Sequence, residues 1–319
     1  MEIRQTVLND QLQFPEGPVV MDDGSVIVVE IAGPRLTRVN VDGDRKSTRL
    51  NSSHDQIETI AEWDDPSSSG PNGAAMGPDG YMYVCNNGGF IWSDINGMNF
   101  PTDRKTGANQ SSNYVTGSVD RVDLKSGEIT TVFHEYEGDH LCGPNDIVFD
   151  DSGGFWFTDL GKQRRREIDK GAVYYAQPDG SSITRVIDNL DHPNGCGISP
   201  DGQTLYVAQT TTGRLWEYEI ERPGVLRSSR GICKANTLSS LDSMAVEADG
   251  TVVVAALGDG LMVARPDGSH EFLDIDGPLI TNIAFSRGEK NLAYITESAL
   301  GSLVMIEWPR SGLELAYSG

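Results

Sequence analysis

Pro144-Asn145-Asp146-Ile147-Val148-Phe149-Asp150-Asp151-Ser152-Gly153-Gly154-Phe155-Trp156-Phe157-Thr158-Asp159 is the stretch that decides how this chain folds. An apolar triplet, Ile147-Val148-Phe149, runs into the turn pair Ser152-Gly153. A run of β-favouring aromatics, Phe155-Trp156-Phe157, leaves it. Two such runs flanking a glycine turn read as an antiparallel hairpin. The polar residue at its head, Asn145, stands seven positions before the turn. The same spacing separates Glu16 from Asp23-Gly24, Asn72 from Asp79-Gly80, Asn194 from Asp201-Gly202 and Asp242 from Asp249-Gly250. Asn282 with Gly288-Glu289 is a looser sixth copy.

A third strand follows in each copy, as in Val119-Asp120-Arg121-Val122 and Leu215-Trp216-Glu217-Tyr218. A fourth is visible in several, as in Ile129-Thr130-Thr131-Val132. Repeats of roughly 40–70 residues with four strands each are the mark of propeller blades. The expected fold is therefore all-β: a six-bladed β-propeller with four-stranded antiparallel blades around a central channel, one domain over residues 1–319. Residues near Thr6-Val7 are expected to join the last blade and close the ring. Two stretches break the rhythm. Residues 44–56 are polar, read as a solvated loop, and are foreign in character to the repeat. Residues 87–117 carry Phe90, Trp92, Met98, Phe100 and Tyr114 among Gly, Asn and Ser, and are expected to pack as a lid over the channel mouth.

Composition narrows the function. The 319 residues hold 47 Asp and Glu against 25 Lys and Arg, a formal charge of −22. Such a chain is repelled by phosphate backbones and anionic bilayers, so neither nucleic acid nor membrane is an expected partner. Met1-Glu2-Ile3-Arg4-Gln5 lacks the basic start and apolar core of a signal peptide, which points to a cytoplasmic protein. Cys85, Cys142, Cys196 and Cys233 form no C-x-x-C pair, so reduced thiols are expected rather than a zinc or redox motif.

The six recurring polar positions carry the chemistry. First strands of propeller blades line the channel, so Glu16, Asn72, Asn145, Asn194, Asp242 and Asn282 should converge at one end of it. All six offer a carboxylate or amide oxygen, and gathering them is costly without a cation or water to bind. Oxygen donors select a hard cation such as Ca²⁺, Mg²⁺ or Mn²⁺. Two carboxylates, Glu16 and Asp242, balance a dication. Asn72 and Asn282 are expected to hold water or substrate. His140, close to Asn145, is a candidate substrate contact and proton relay. Trp92, in the insertion, is a candidate substrate contact. Lys162 with Arg164-Arg165-Arg166 is expected to sit in solvent, and Asp159 is a candidate for a second cation site.

Phe14-Pro15-Glu16-Gly17-Pro18, Pro144-Asn145-Asp146, Pro193-Asn194-Gly195, Asp242-Ser243-Met244 and Phe157-Thr158-Asp159 together resemble the senescence-marker-protein/gluconolactonase (regucalcin-like) family, from Phe14 to about Ile306. The family also takes in calcium-dependent lactonases and diisopropyl-fluorophosphatase. The resemblance implies one divalent ion, usually Ca²⁺ but in some members Zn²⁺, Mn²⁺ or Mg²⁺, held by Glu16, Asn145, Asn194 and Asp242. It implies Asp242 as general base or nucleophile in the hydrolysis of a small lactone or ester. Regucalcin-type members carry a sugar-gripping arginine two residues before the first ligand asparagine; here Gly143 stands there, a departure that puts an aldonolactone in doubt. A phosphotriesterase on the same site, a non-catalytic metal-binding or ligand-binding propeller, and a strictosidine-synthase-like enzyme are the competing readings. The full Glu/Asn/Asn/Asp set argues against the last.

Overall fold

The computed structural model describes residues 4–41, 57–235, 239–288 and 291–317. The stretch 44–56 lies outside them. Among the described residues there is no helix, and six four-stranded antiparallel sheets stand around a common axis. Their inner strands are Pro15–Val20, Pro71–Met76, Pro144–Phe149, Pro193–Ile198, Ser240–Val246 and Ile280–Phe285. Each inner strand lies against the inner strands of the two neighbouring blades, the first against the last included, so the ring is closed. Four of the six begin with proline, tolerated at a strand's first residue because no ladder donor is lost there.

Five blades run in simple order from axis to rim. The sixth is completed by the chain's other end: Gln5–Asn9 pairs with Ser302–Glu307, Thr6 opposite Met305 and Val7 opposite Val304. The Asp-Gly turns join inner to second strands as expected. Gly24 and Gly202 take φ of +83° and +68°, a conformation that a Cβ disfavours. In the turn Asp23-Gly24-Ser25 the aspartate caps the bend by accepting the Ser25 N–H at 2.9 Å.

The core is six apolar wedges between blades. The richest, between the second and third, packs Tyr83, Phe149, Phe155 and Phe157 with Leu141 and Val119. Phe157 stacks on Tyr174 with ring centroids 5.0 Å apart. Aromatic and β-branched side chains fill such wedge-shaped gaps because each strand face meets a different neighbour blade.

Residues 87–117 link the second and third strands of the second blade, Met82–Asn86 and Ser118–Val122. They therefore emerge at the end of the channel opposite the Asp-Gly turns. The insertion includes a small hairpin, Ser93–Ile95 with Met98–Phe100. It reaches the sixth blade through Asn99 N–H to the Ala299 carbonyl (3.0 Å) and the third through Asn109 N–H to the Gln163 carbonyl (2.9 Å). Tyr114 donates to the Cys142 carbonyl at 2.8 Å.

Candidate metal and active site

The six polar positions head the inner strands, and every inner strand breaks its ladder register at or just beyond them. The shifts fall between Glu16 and Val19, Pro71 and Ala74, Pro144 and Ile147, Pro193 and Cys196, Leu241 and Met244, and Ile280 and Asn282. A bulge re-aims a side chain that alternation would otherwise send into a neighbouring blade. Six bulges at one level bring the oxygen-bearing side chains toward one place. The backbones there crowd together. A Cβ on Gly195 would lie 2.7 Å from the Asp242 carbonyl oxygen and 2.8 Å from Ser243 Cα. Glycine at this position is what lets the fourth and fifth inner strands meet.

The contacts fall in three groups. Asn282 Nδ2 donates to Glu16 Oε2 at 2.7 Å, and the Gly17 N–H donates to the same oxygen at 2.7 Å. Asn194 Nδ2 donates to Thr210 Oγ1 at 3.1 Å, leaving Asn194 Oδ1 near Ser243 Oγ at 3.5 Å. A third carboxyl that the repeat spacing did not single out, Asp146, joins the set. It accepts the Cys196 and Ile147 N–H groups, each at 3.0 Å. Asp146 follows a ring position, so strict alternation sends it away; the bulge turns it back.

Glu16, Asp146 and Asp242 lie near enough for the charge of one to act on another. Burial raises Glu16 above its ordinary value. Burial, then the Glu16 charge, push Asp146 up to about 7 and Asp242 well above the usual carboxylate range. Among the described residues, no cationic side chain is among the main groups acting on the three. Asn145 is 2 % exposed, and its Oδ1 has no hydrogen-bond partner. Carboxyls without a cationic partner and an orphaned amide oxygen at the heads of the inner strands fit a hard divalent cation, which would supply the missing charge and accept that lone pair. Among the described residues no three His, Cys, Asp or Glu side chains gather as a metal cluster. The donors at the heads of the inner strands are a mixture of carboxylates and amide oxygens, Glu16, Asn145, Asn194 and Asp242 among them.

The other candidates fall elsewhere. His140 is exposed on the short hairpin Glu135–Tyr136 and Asp139–His140, outside the set assembled by the inner strands. Trp92 is half-buried and sits edge-on to Phe14 (5.1 Å) and Phe90 (6.1 Å). With Ile31 and Leu279 these rings make an apolar wall beside the strand that carries Glu16. Lys162 is not in solvent. It is fully buried, donating to Asn87 Oδ1 and to the Gly89 carbonyl (2.9 Å), over the rings of Phe90 and Tyr114. Its partners lie more than seventy residues away in the insertion, which is why the local basic run misled. Asp159 needs no second cation: it accepts the N–H groups of Cys142, Gly143 and Gly161 at 2.7–2.9 Å and faces the Lys162 charge. Gly143 leaves no room for any side chain, since a Cβ there would lie 2.9 Å from the Gly161 carbonyl oxygen. Burial pushes Cys142 up to about 12 and raises Cys196 well above the ordinary thiol value, so both stay thiols.

Comparison with known proteins bears on this geometry. The family described as "SMP-30/Gluconolactonase/LRE-like region" matches residues 14–299. Lactonase drp35 of Staphylococcus haemolyticus is 26% identical over 248 residues, covering 77% of this chain and 64% of the relative. The Gluconolactonase of Zymomonas mobilis is 25% identical over 279 residues, covering 82% and 69%. The chain thus spans about two thirds of the length of these curated relatives. Among solved structures, a gluconolactonase from Xanthomonas campestris superposes with a TM-score of 0.72 at 24% identity, covering 96% of this chain and 90% of that one. A calcium-binding regucalcin from Agrobacterium tumefaciens superposes at 0.70 with 18% identity, covering 98% and 95%. At these identities the structural likeness establishes the fold.

Proposed function

The chain belongs to the SMP-30/gluconolactonase/LRE-like family, and from that premise we propose that it hydrolyses small lactones with the help of one divalent cation at the channel mouth. The observation that carries the proposal is the set of three interacting carboxyls with no cationic side chain among the main groups acting on them in the described residues, together with the buried, unpartnered Asn145 Oδ1. Glu16, Asn145, Asn194 and Asp242 are the residues that would hold the ion. The drp35 and Zymomonas relatives bear lactonase names, which supports the reaction class. The Agrobacterium protein is described as calcium-binding, which favours Ca²⁺.

A hard dication bound there supplies Lewis acidity and positive charge toward a carbonyl oxygen turning into an oxyanion. The protein does the rest. Glu16 is locked by Asn282 and Gly17 and acts as a fixed charge. Asp242 is the half-exposed one of the three carboxyls, which supports it as the one that meets substrate. Acting as base, it takes a proton from the water whose oxygen bonds to the lactone carbonyl carbon. The ring C–O bond then breaks, and the proton passes to the departing alkoxide to give the hydroxy acid. Acting as nucleophile, its carboxylate oxygen would bond to the carbonyl carbon as the ring C–O bond breaks and the alkoxide takes up a proton, giving a mixed anhydride that water then cleaves to the hydroxy acid and free Asp242. The wall of Phe14, Phe90 and Trp92 suits the apolar face of a lactone. The absence of a side chain at Gly143 weighs against a polyhydroxylated one.

The test is a panel of γ-, δ- and aromatic lactones, with organophosphate triesters alongside, given to chelator-treated protein with and without Ca²⁺, Mn²⁺, Mg²⁺ or Zn²⁺. Lactone turnover that returns only with metal, and is abolished in Asp242→Ala, is the expected result. Turnover of the triesters alone, or metal binding without turnover of anything, would overturn it.

A further inference from the structure

Below the oxygen ring the channel continues, and we propose that this far half is a second binding site, for an organic amine with an apolar body. The cavity measures about 420 Å³. Its roof is the underside of the ring, at Gly17, Asp146 and Asn282. Its shaft is wide because the inner strands carry small residues at this level: Ala74, Gly197, Ala245 and Ala284, among larger apolar neighbours. A concave, largely apolar shaft with a few polar groups at its rim is the usual form of a small-molecule site.

The rim sets the charge of the occupant. Asp150, Asp151, Asp201 and Glu314 stand at the outer end. Asp201 is held below the usual carboxylate range by hydrogen bonds from Ser199 and the Gln203 N–H. Arg287 is also there, but Asp22 pairs with it at 3.0 Å, and its other nitrogen donates to the Leu315 carbonyl. The rim is therefore anionic. Phe149 and Tyr317 meet edge to face there with centroids 5.8 Å apart, adding ring surfaces that attract an ammonium group. An anion is repelled by this entrance, and an inorganic cation gains nothing from the shaft. A molecule with an apolar body and a protonated amine uses both.

The far end is crossed by the C-terminal segment. The Leu313 N–H bonds the Val246 carbonyl in the fifth blade at 2.8 Å, and Tyr317 packs on Phe149 in the third. Between these anchors Leu315 is 54% exposed. The strap narrows the opening without sealing the rim at Asp151 and Asp201.

The experiment is calorimetric titration of the full chain with 4-phenylbutylamine, the uncharged isostere 4-phenylbutanol and the anionic 4-phenylbutyrate. The amine should bind about tenfold tighter than the alcohol, as several rim carboxylates acting together allow, and the acid should not bind. Ala284→Phe, which fills the shaft, should weaken the amine at least tenfold. Asp151→Asn with Glu314→Gln, both at exposed positions, should bring amine and alcohol together even if the shaft variant fails to fold. Calcium and lactone should leave the amine affinity unchanged, which separates this site from the mouth. No heat at millimolar amine, equal affinity for amine and alcohol, or competition by lactone would overturn the assignment.

Discussion

Asn145→Ala isolates the cation-binding role of the ring from its structural role. In the wild-type protein the Asn145 Oδ1 is buried without a partner. An unsatisfied buried acceptor costs about 1–3 kcal/mol. Alanine removes that cost and loses some packing in a crowded place, so the two effects nearly cancel in metal-free protein. With calcium the outcome differs. Free ion at about a hundred times its dissociation constant stabilises the native state by about 2.7 kcal/mol. Unfolding entropy of about 2.1 cal/mol/K per residue, taken over the 319 residues, comes to about 0.7 kcal/mol/K. The calcium-induced rise in Tm should therefore be about 4 °C in the wild type. In Asn145→Ala it should shrink to within about 1 °C of nothing, while the chelated variant melts within about 2 °C of chelated wild type. Differential scanning calorimetry at fixed free calcium reads both. A variant that keeps the full calcium shift refutes Asn145 as a ligand. One that melts much lower without metal shows that the amide is a structural part.

Three other outcomes follow from particular contacts. Gly195→Ala would press a methyl against the Asp242 carbonyl and Ser243 backbone, so it should cost about 1–3 kcal/mol in urea unfolding; a change too small to measure would show that the inner strands have slack. Lys162 is drawn by burial from the ordinary 10.5 down to about 7. Between those values the unfolded chain holds a proton that the native chain lacks, so Lys162 makes stability rise with pH, by at most about 1.4 kcal/mol per unit, and its penalty is in full force below pH 7. Lys162→Met should lose that slope from pH 7 to 10, and parallel profiles for the two proteins would refute it. Trp92→Ala opens the wall with Phe14 and Phe90 and should raise KM for aromatic lactones about tenfold more than for unsubstituted ones; an equal effect on both would remove Trp92 from substrate contact.

How the ring is built explains which parts of it the sequence discloses. Period and turn chemistry are local, so the hairpins and the heads of the inner strands were legible: the spacing from Glu16, Asn72, Asn145, Asn194 and Asp242 to their turns is written within ten residues. The final strand of the sixth blade was legible only as an expectation about Thr6-Val7, because its partner Met305 lies at the other end of the chain. Asp146 and Lys162 escaped for different reasons. Asp146 sits where alternation along a strand points away from the channel, and a register shift of one residue reverses that direction. Lys162 reads as part of a solvated basic run, and only its contacts with Asn87 and Gly89, across blades, bury it. The small residues of the shaft, Gly197 and Ala284 among them, carry no chemical signal at all; their meaning is the space they leave. The site thus depends on six departures from regular strand geometry. A repeat read from spacing locates those departures, but the direction in which each turns its side chain comes from the packing of neighbouring inner strands at Gly17, Gly73 and Gly195.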